Sequence, residues 1–382
     1  MSTYSYFATD LVTGALRADS IPLHVSSFSR NLGGIGQPGQ LQATLDLGAL
    51  PSQSNLLEAL EPRRTLLWAR QDGYPVWAGV LWDWAHVSAK SNELPIVANE
   101  VSSLFQRRQI REDQVFPPSP PFDLLDIIRV LFQYGTSKTG GGIAQLVYSS
   151  NVDGRTTSTT FPAANLTSVL DAVTQFCTQW GLEYAFEPNL APGNTPRILL
   201  RLGNSTTMGR PYSSTNLQLI YPGNLVDYAW PRTGSQSSNS VRAVATGAGG
   251  LPWQSSESTH GLDAADLAAG YPRLESSVSY TGSVITAQSQ IDAFADSRQA
   301  LVDGSPVVPK ATIVGGQTPT VQQIQLGDHA MLLATSSLHP APTSAPLTPG
   351  LMQDVRIVGW TVRPPNEQQP ETTDLFLAGV SS

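Results

Sequence analysis

The sequence is poor in nearly everything that reactive chemistry draws on. A single cysteine, Cys177, cannot form an internal disulfide, which excludes a disulfide-stapled secreted fold. Cys177 falls at an apolar helical position and reads as a buried, inert thiol. The five histidines, His24, His86, His260, His329 and His339, are scattered without paired or H-E-x-x-H spacing, so no metal site is expected. Charged residues make up only 14 % of the chain, against a usual share of about a quarter. The net charge is −8, which argues against an electrostatic grip on nucleic acid. No apolar run is long enough to span a bilayer, and the start, MSTYSYFATDLVTG, lacks the basic end and apolar stretch of a signal peptide. Synthesis in a host cytoplasm as a soluble chain is the expectation.

Motifs tested for chemistry give bland readings. Gly34-Ile35-Gly36-Gln37-Pro38-Gly39 fits G-x-G-x-x-G, but a dinucleotide site needs a helix starting on the motif, and here Pro38 interrupts it and a strand follows. It reads as a β-turn. Gly135-Thr136-Ser137-Lys138-Thr139 lacks phosphate-loop spacing, and no G-x-S-x-G occurs. Glu183 and Glu187 share one strand face and superficially suit a glycosidase pair, yet they read as water-exposed carboxylates of an edge strand. Arg107, Arg108 and Arg111 form the only basic cluster, read as a solvated helix end or an inter-subunit salt bridge. No catalytic residue, cofactor or metal is assigned.

What the sequence does have is turns and tryptophan. Its 382 residues include 32 Gly and 29 Pro, the punctuation of a mainly β protein with room for two to four domains. Four of the eight tryptophans, Trp68, Trp77, Trp82 and Trp84, lie in residues 65–84, TLLWARQDGYPVWAGVLWDW. Asp72-Gly73 there predicts a tight hairpin. In its second strand Val76, Ala78, Val80, Trp82 and Trp84 share one parity, and Trp77, Gly79, Leu81 and Asp83 the other. Both faces carry large apolar groups, so one should pack a core and the other a second layer or a partner chain.

Residues 1–115 read as a first β domain, with 41–47 alternating cleanly. A stiff segment, Phe116-Pro117-Pro118-Ser119-Pro120-Pro121, opens a small α/β domain over 116–216. Its two helices are predicted over 123–134, stopping at Gly135, and from an Asn165 cap to Gly181. Residues 217–248 and 305–382 form a second β domain, interrupted by a mixed insertion at 249–304 with a helix that Ser289 would cap. The exposed link 338–349 is rich in proline. A faint repeat aligns Leu66-Leu67-Trp68-Ala69 with Met331-Leu332-Leu333-Ala334, and Gly79 with Gly359 beside Trp360. A glycine inside a strand marks a bulge or a close backbone approach.

Several blocks together resemble a known group. TYSYFATDLVTGAL, FSRNLGGIGQPGQLQATLDL, EPRRTLLWARQDGYPVWAGVLWDW, FQRRQIREDQ, LVDYAWPRTGSQSSNSVRAVATG and DVRIVGWTV look like minor tail proteins of actinobacterial siphophages. These are in turn similar to hub proteins at the tip of phage tails. The resemblance implies two similar β-barrel domains flanking an α/β domain, with three chains closing a ring. It implies a virion protein meeting a distal tail protein, the tape measure protein and other tip proteins, with DNA only in transit. The chain closes soon after the second β domain, at Ser382, with no hydrolase region appended, so no enzymatic role is expected. Trp68, Trp77, Gly79, Trp82, Trp84, Gly359 and Trp360 are the candidate core and interface residues. The alternative is a host-surface glycan-binding protein with exposed aromatics on one face; a cell-wall hydrolase ranks last.

Overall fold

The computed structural model describes residues 2–379 except 35–36, 49–52, 86–90, 118, 232–237, 247–251, 259–269, 271, 281–286, 303–308 and 367–368. Asp72 and Gly73 both take positive φ, 50° and 84°, as a two-residue turn between twisted strands requires. They join β5 (Thr65–Gln71) to β6 (Tyr74–Trp84). Ahead of these strands come β1 (Tyr4–Asp10), β2 (Leu16–Ala18), β3 (Leu23–Asn31), β4 (Gln40–Asp46) and a helix α1 (Gln53–Ala59). After them follow β7 (Glu93–Glu100) and a short helix α2 (Ser102–Phe105).

The middle of the chain supplies β8 (Gln114–Phe116), β9 (Phe122–Asp123), α3 (Leu124–Ser137), β10 (Leu146–Tyr148), β11 (Thr156–Thr157), β12 (Thr159–Phe161), α4 (Val169–Trp180), β13 (Leu182–Ala191) and β14 (Thr195–Asn204). Strand β14 lies between β13, antiparallel, and β10, parallel. Asp123 caps α3 by accepting from the Leu125 N–H. That helix does not stop at Gly135; it runs on to Ser137, and Gly135 instead lets the Phe105 ring approach the helix. Asn165 is not the cap of α4 either. It sits in a 3-10 turn, and Ser168 accepts from Asp171 N–H three residues on. Gly181 ends α4 in the left-handed region, φ 64°.

The last third holds α5 (Tyr212–Thr215), β15 (Gln218–Tyr221), β16 (Leu225–Ala229), β17 (Ser240–Thr246), β18 (Pro252–Gln254), β19 (Glu275–Ser279), α6 (Gln288–Val302), β20 (Lys310–Val314), β21 (His329–Ala334), β22 (Leu351–Arg363) and β23 (Thr372–Gly379). Helix α6 begins before Ser289, which is therefore inside the first turn and not its cap. With β17, β18 and β19 it encloses a small core of Ala243, Ala245, Ile291, Phe294 and Ala295.

Thirteen strands form one large, mostly antiparallel sheet, and within it the same order occurs twice. One run is β3-β4-β7-β6-β5-β1; the other is β16-β20-β23-β22-β21-β15. Registers repeat as well. Between β6 and β7, Leu81 faces Ala98 and Asp83 faces Val97; between β22 and β23, Ile357 faces Leu377 and Gly359 faces Phe376. Each pair skips one residue, Trp82 or Val358, which is a β-bulge. Matching the bulges puts Asp83 on Gly359 and Gly79 on Val355, so the sequence-based match of Gly79 with Gly359 is off by four residues. The runs differ at their ends: β1 is antiparallel to β5, whereas β15 is parallel to β21. Among the described residues no strand pairing closes either run into a barrel.

Strand β22 joins the runs. It has β23 along one edge, and shares the other between β21, facing residues 351–356, and β3, facing residues 359–362. One continuous core lies across both runs, from Phe28, Leu41 and Trp77 to Leu225, Ile313 and Trp360. The opposite face of β1, β5 and β6, with Phe7, Leu66, Trp68, Ala78 and Val80, packs on α3, α4 and β13 in a second core. The doubly apolar strand is thus covered by a second layer of its own chain.

Candidate assembly site

Strand β6 belongs to both cores, and its bulges decide which side chain goes where. Between β5 and β6 the register jumps at Val76, and between β6 and β7 at Trp82. Each jump turns the residues beyond it to the other face. Val76 and Trp84 therefore join Trp77 and Leu81 in the core shared by both runs, against the parity expected from alternation alone. Ala78, Val80 and Trp82 face the middle unit.

Each candidate residue has a definite place. Trp68 is fully buried, stacks on Phe7 with ring centroids 5.5 Å apart, and donates its indole N–H to Thr9 Oγ1 at 3.0 Å. Trp77, also fully buried, donates to the Ser29 carbonyl at 2.9 Å and so ties β6 to β3. Trp82 is half-buried; it donates to Ser103 Oγ at 2.8 Å and lies under the Arg107 guanidinium, 5.6 Å from its carbon. Trp84 donates to the Leu60 carbonyl at 3.1 Å. Trp360 is buried edge-on to Phe28, at 5.7 Å, where β22 meets β3. Gly79 has no room for a Cβ, which would overlap the Asn99 carbonyl and the Trp77 ring. Gly359 is the same kind of point: a Cβ there would overlap the Asn31 side chain across the junction.

Two buried arginines hold the middle unit to this junction. Arg356 of β22 meets Glu183 of β13 through its two terminal guanidinium nitrogens, with Nη1 to Oε1 at 2.8 Å, and its Nε donates to the Gly327 carbonyl at 3.2 Å. Both side chains are about 5 % exposed, which makes the pair costly to break. Arg30 of β3 lies 3.4 Å from Glu100 of β7 and donates to the Phe186 carbonyl of β13 at 3.0 Å. Burial pushes the Glu100 carboxyl above its ordinary pKa, while Arg30 and the Gly39 N–H oppose that shift. A third pair, Arg210 and Asp328, links the end of the middle unit to the second run at 2.5 Å.

Glu183 and Glu187 are consequently not free edge carboxylates. The first is sealed by Arg356, and the second is paired with Arg201 at 2.6 Å. The open edge of β13 is itself covered, because Gly33 and Tyr184 exchange backbone hydrogen bonds. Cys177 is fully buried, and burial raises its thiol well above the ordinary value. His24, His329 and His339 lie apart on β3, on β21 and in the loop after it; His86 and His260 lie outside the described residues. Among the described residues no group of three or more His, Cys, Asp or Glu could hold a metal, and no helix is long and apolar enough to cross a membrane. Sequence reasoning missed Arg30, Glu100, Arg356 and the role of Glu183. Their signal was present, since each is a charge inside an apolar strand or at its end, in a chain with few charges.

No family model matches the chain, and no curated protein matches it. Solved structures do. A tail protein from Neisseria meningitidis is similar over 98 % of this chain and 96 % of its own, with a TM-score of 0.61 at 13 % identity. The 43 kDa tail protein of prophage MuSo2 from Shewanella oneidensis covers 98 % of both chains, with a TM-score of 0.59 at 10 % identity. The prophage tail protein gp18 from Listeria monocytogenes covers 97 % and 94 %, with a TM-score of 0.53 at 12 % identity. At such identities the likeness is one of fold: the chain has the mainly β fold found in these tail proteins.

Proposed function

We propose that the chain is a structural hub of a phage tail tip, a virion component without catalytic residues. Three copies form a pseudo-six-fold ring that joins the tail tube and distal tail protein to tip proteins. The ring lines a channel for the tape measure protein and then DNA, and a chain with a net charge of −8 accords with a wall that does not hold phosphates. Two β-barrel domains, 1–115 and 217–248 with 305–382, flank the α/β domain 116–216, and the insertion 249–304 draws β17 into its own small sheet. The observation that carries this reading is the duplicated strand order with its duplicated bulge. Two like units per chain, taken three times, present six like units around one axis, which matches a six-fold partner.

The junction inside the chain supplies a template for the junction between chains. Residues 28–31 of β3 pair with residues 359–362 of β22. In the matched registers Thr361 corresponds to Ala85 and its partner Ser29 to Pro231, both of which are exposed. Ala85 of one copy then meets Pro231 of the next. The paired variant Ala85→Cys with Pro231→Cys tests this, since Cys177 is buried and does not compete. Oxidation should give a covalent species stopping at three chains, about 123 kDa for chains of 40.9 kDa, with either single variant unlinked. An uncross-linked chain whose mass by light scattering stays at one copy, even with its tail neighbours present, would overturn the reading.

A further inference from the structure

A cleft of about 610 Å³ opens where the middle unit meets both runs of the large sheet. That volume lies in the usual range of small-molecule sites, roughly 300–1,000 Å³, which favour such junctions between units. Tyr74, Tyr148, Glu187, Asn189, Arg201 and Gln325 are among its walls. Its charges are already matched: Arg201 is held by Glu187 at 2.6 Å, and Arg30, deeper in, by Glu100. A phosphate or carboxylate ligand would therefore find no spare cation, and would face the Glu187 carboxylate.

The uncharged groups are less committed. Asn189 Oδ1 accepts from Arg197 Nε at 2.7 Å, which orients the amide, while its NH2 donates to nothing among the described residues. The side-chain amide of Gln325 makes no hydrogen bond there either. Tyr74 is 40 % exposed, and its hydroxyl is likewise unpartnered among the described residues. Tyr148 is half-buried and fixed by a 3.0 Å hydrogen bond between its hydroxyl and Thr136 Oγ1. Amides donate and accept side by side, and a guanidinium–carboxylate pair offers both roles in one plane. Tyrosine adds a flat apolar face with a polar tip. Ring hydroxyls beside apolar C–H faces are the ligand chemistry that complements this set.

We infer that the cleft binds a neutral saccharide of one or two rings. This goes beyond the ring reading and does not depend on it, because every wall belongs to one chain. The test is a calorimetric titration of the purified chain with N-acetylglucosamine, galactose, glucose and rhamnose, each alone, and with glucuronate as the charged comparison. At least one neutral sugar should saturate, and glucuronate should bind no more tightly than glucose. Asn189→Ala and Tyr74→Ala should each weaken binding at least tenfold, with the melting temperature and the oligomeric mass unchanged. Failure of all four neutral sugars to saturate, or variants that bind as the parent does, would overturn the inference.

Discussion

Between β5 and β6 the chain turns in two residues, whereas between β21 and β22 it takes sixteen. Between β3 and β4 it takes eight, and between the corresponding β16 and β20 it takes eighty, enough to hold β17, β18, β19 and α6. Inside the strands the two runs share their order and the bulge at Trp82 or Val358, while the Val76 bulge and the antiparallel direction of β1 have no counterpart in the second run. Strand pairing is constrained along its whole length by packing on the faces, while a connection need only return to its partner. Side chains drift within that plan by compensation. Gly79 faces the large Glu100, and at the matching place the large Val355 faces Gly379. Val80 packs against the middle unit through apolar contact, and its counterpart Arg356 does so through Glu183.

The ion pair is where the comparison can be broken hardest. Glu183→Ala leaves the Arg356 charge buried without its carboxylate and should cost about 3–5 kcal/mol in urea unfolding. Joining Glu183→Leu to Arg356→Val makes the second run resemble the first, and most of that loss should return. If the double variant is as unstable as Glu183→Ala, the two contacts are not alternatives. Next comes Gly79→Val, which installs the residue of the second run opposite the wrong partner. Overlap with the Asn99 carbonyl and Trp77 should cost roughly 1–3 kcal/mol, read as a lower melting temperature. An unchanged melting temperature would mean the strand opens there without strain.

Acid sensitivity should be shared by both runs. Asp10 and Asp374 are buried, and burial alone would raise their pKa values from the ordinary 3.8. Donors outweigh it: the Thr13 N–H and Arg64 for Asp10, and Arg363, Thr312 and Lys310 for Asp374. With folded values below unfolded ones, the unfolded chain binds more protons in acid. The stabilisation is then complete above about pH 4 and is lost as the pH falls further. Asp10→Asn with Asp374→Asn should flatten the acid limb of urea midpoints against pH; an unaltered slope would assign acid loss to other groups. The smallest effect concerns the bulged Trp82, which has a guanidinium partner that its counterpart Val358 cannot have. Arg107→Ala should cost about 0.5–1 kcal/mol, measured by the same unfolding.

The elements legible in the sequence were those set by local chemistry. Asp72-Gly73 had to turn, Gly181 had to end its helix, and β6 had to be covered on both sides. Long-range facts were the ones misread. Asn165 suits a cap as well as Ser168 does, and only the packing of α4 chooses between them. Gly135 signals a helix end, but here it makes space for Phe105, a neighbour thirty residues earlier. The bulges shift parity by one residue without any local mark in the sequence, so Val76 and Trp84 were assigned to the wrong face. Glu183 resembled a surface carboxylate because its partner lies 173 residues away.

Strand β22 also dictates a waiting time. Residues 28–31 leave the ribosome early, and their edge partner at 359–362 emerges more than three hundred residues later. At about 5–20 residues per second that interval is roughly a quarter of a minute to a minute. Throughout it the first run has an open strand edge and a core still missing Trp360. Slow stretches of translation, or a chaperone resting on that edge, would then govern the yield of folded protein more than the stability of the finished chain.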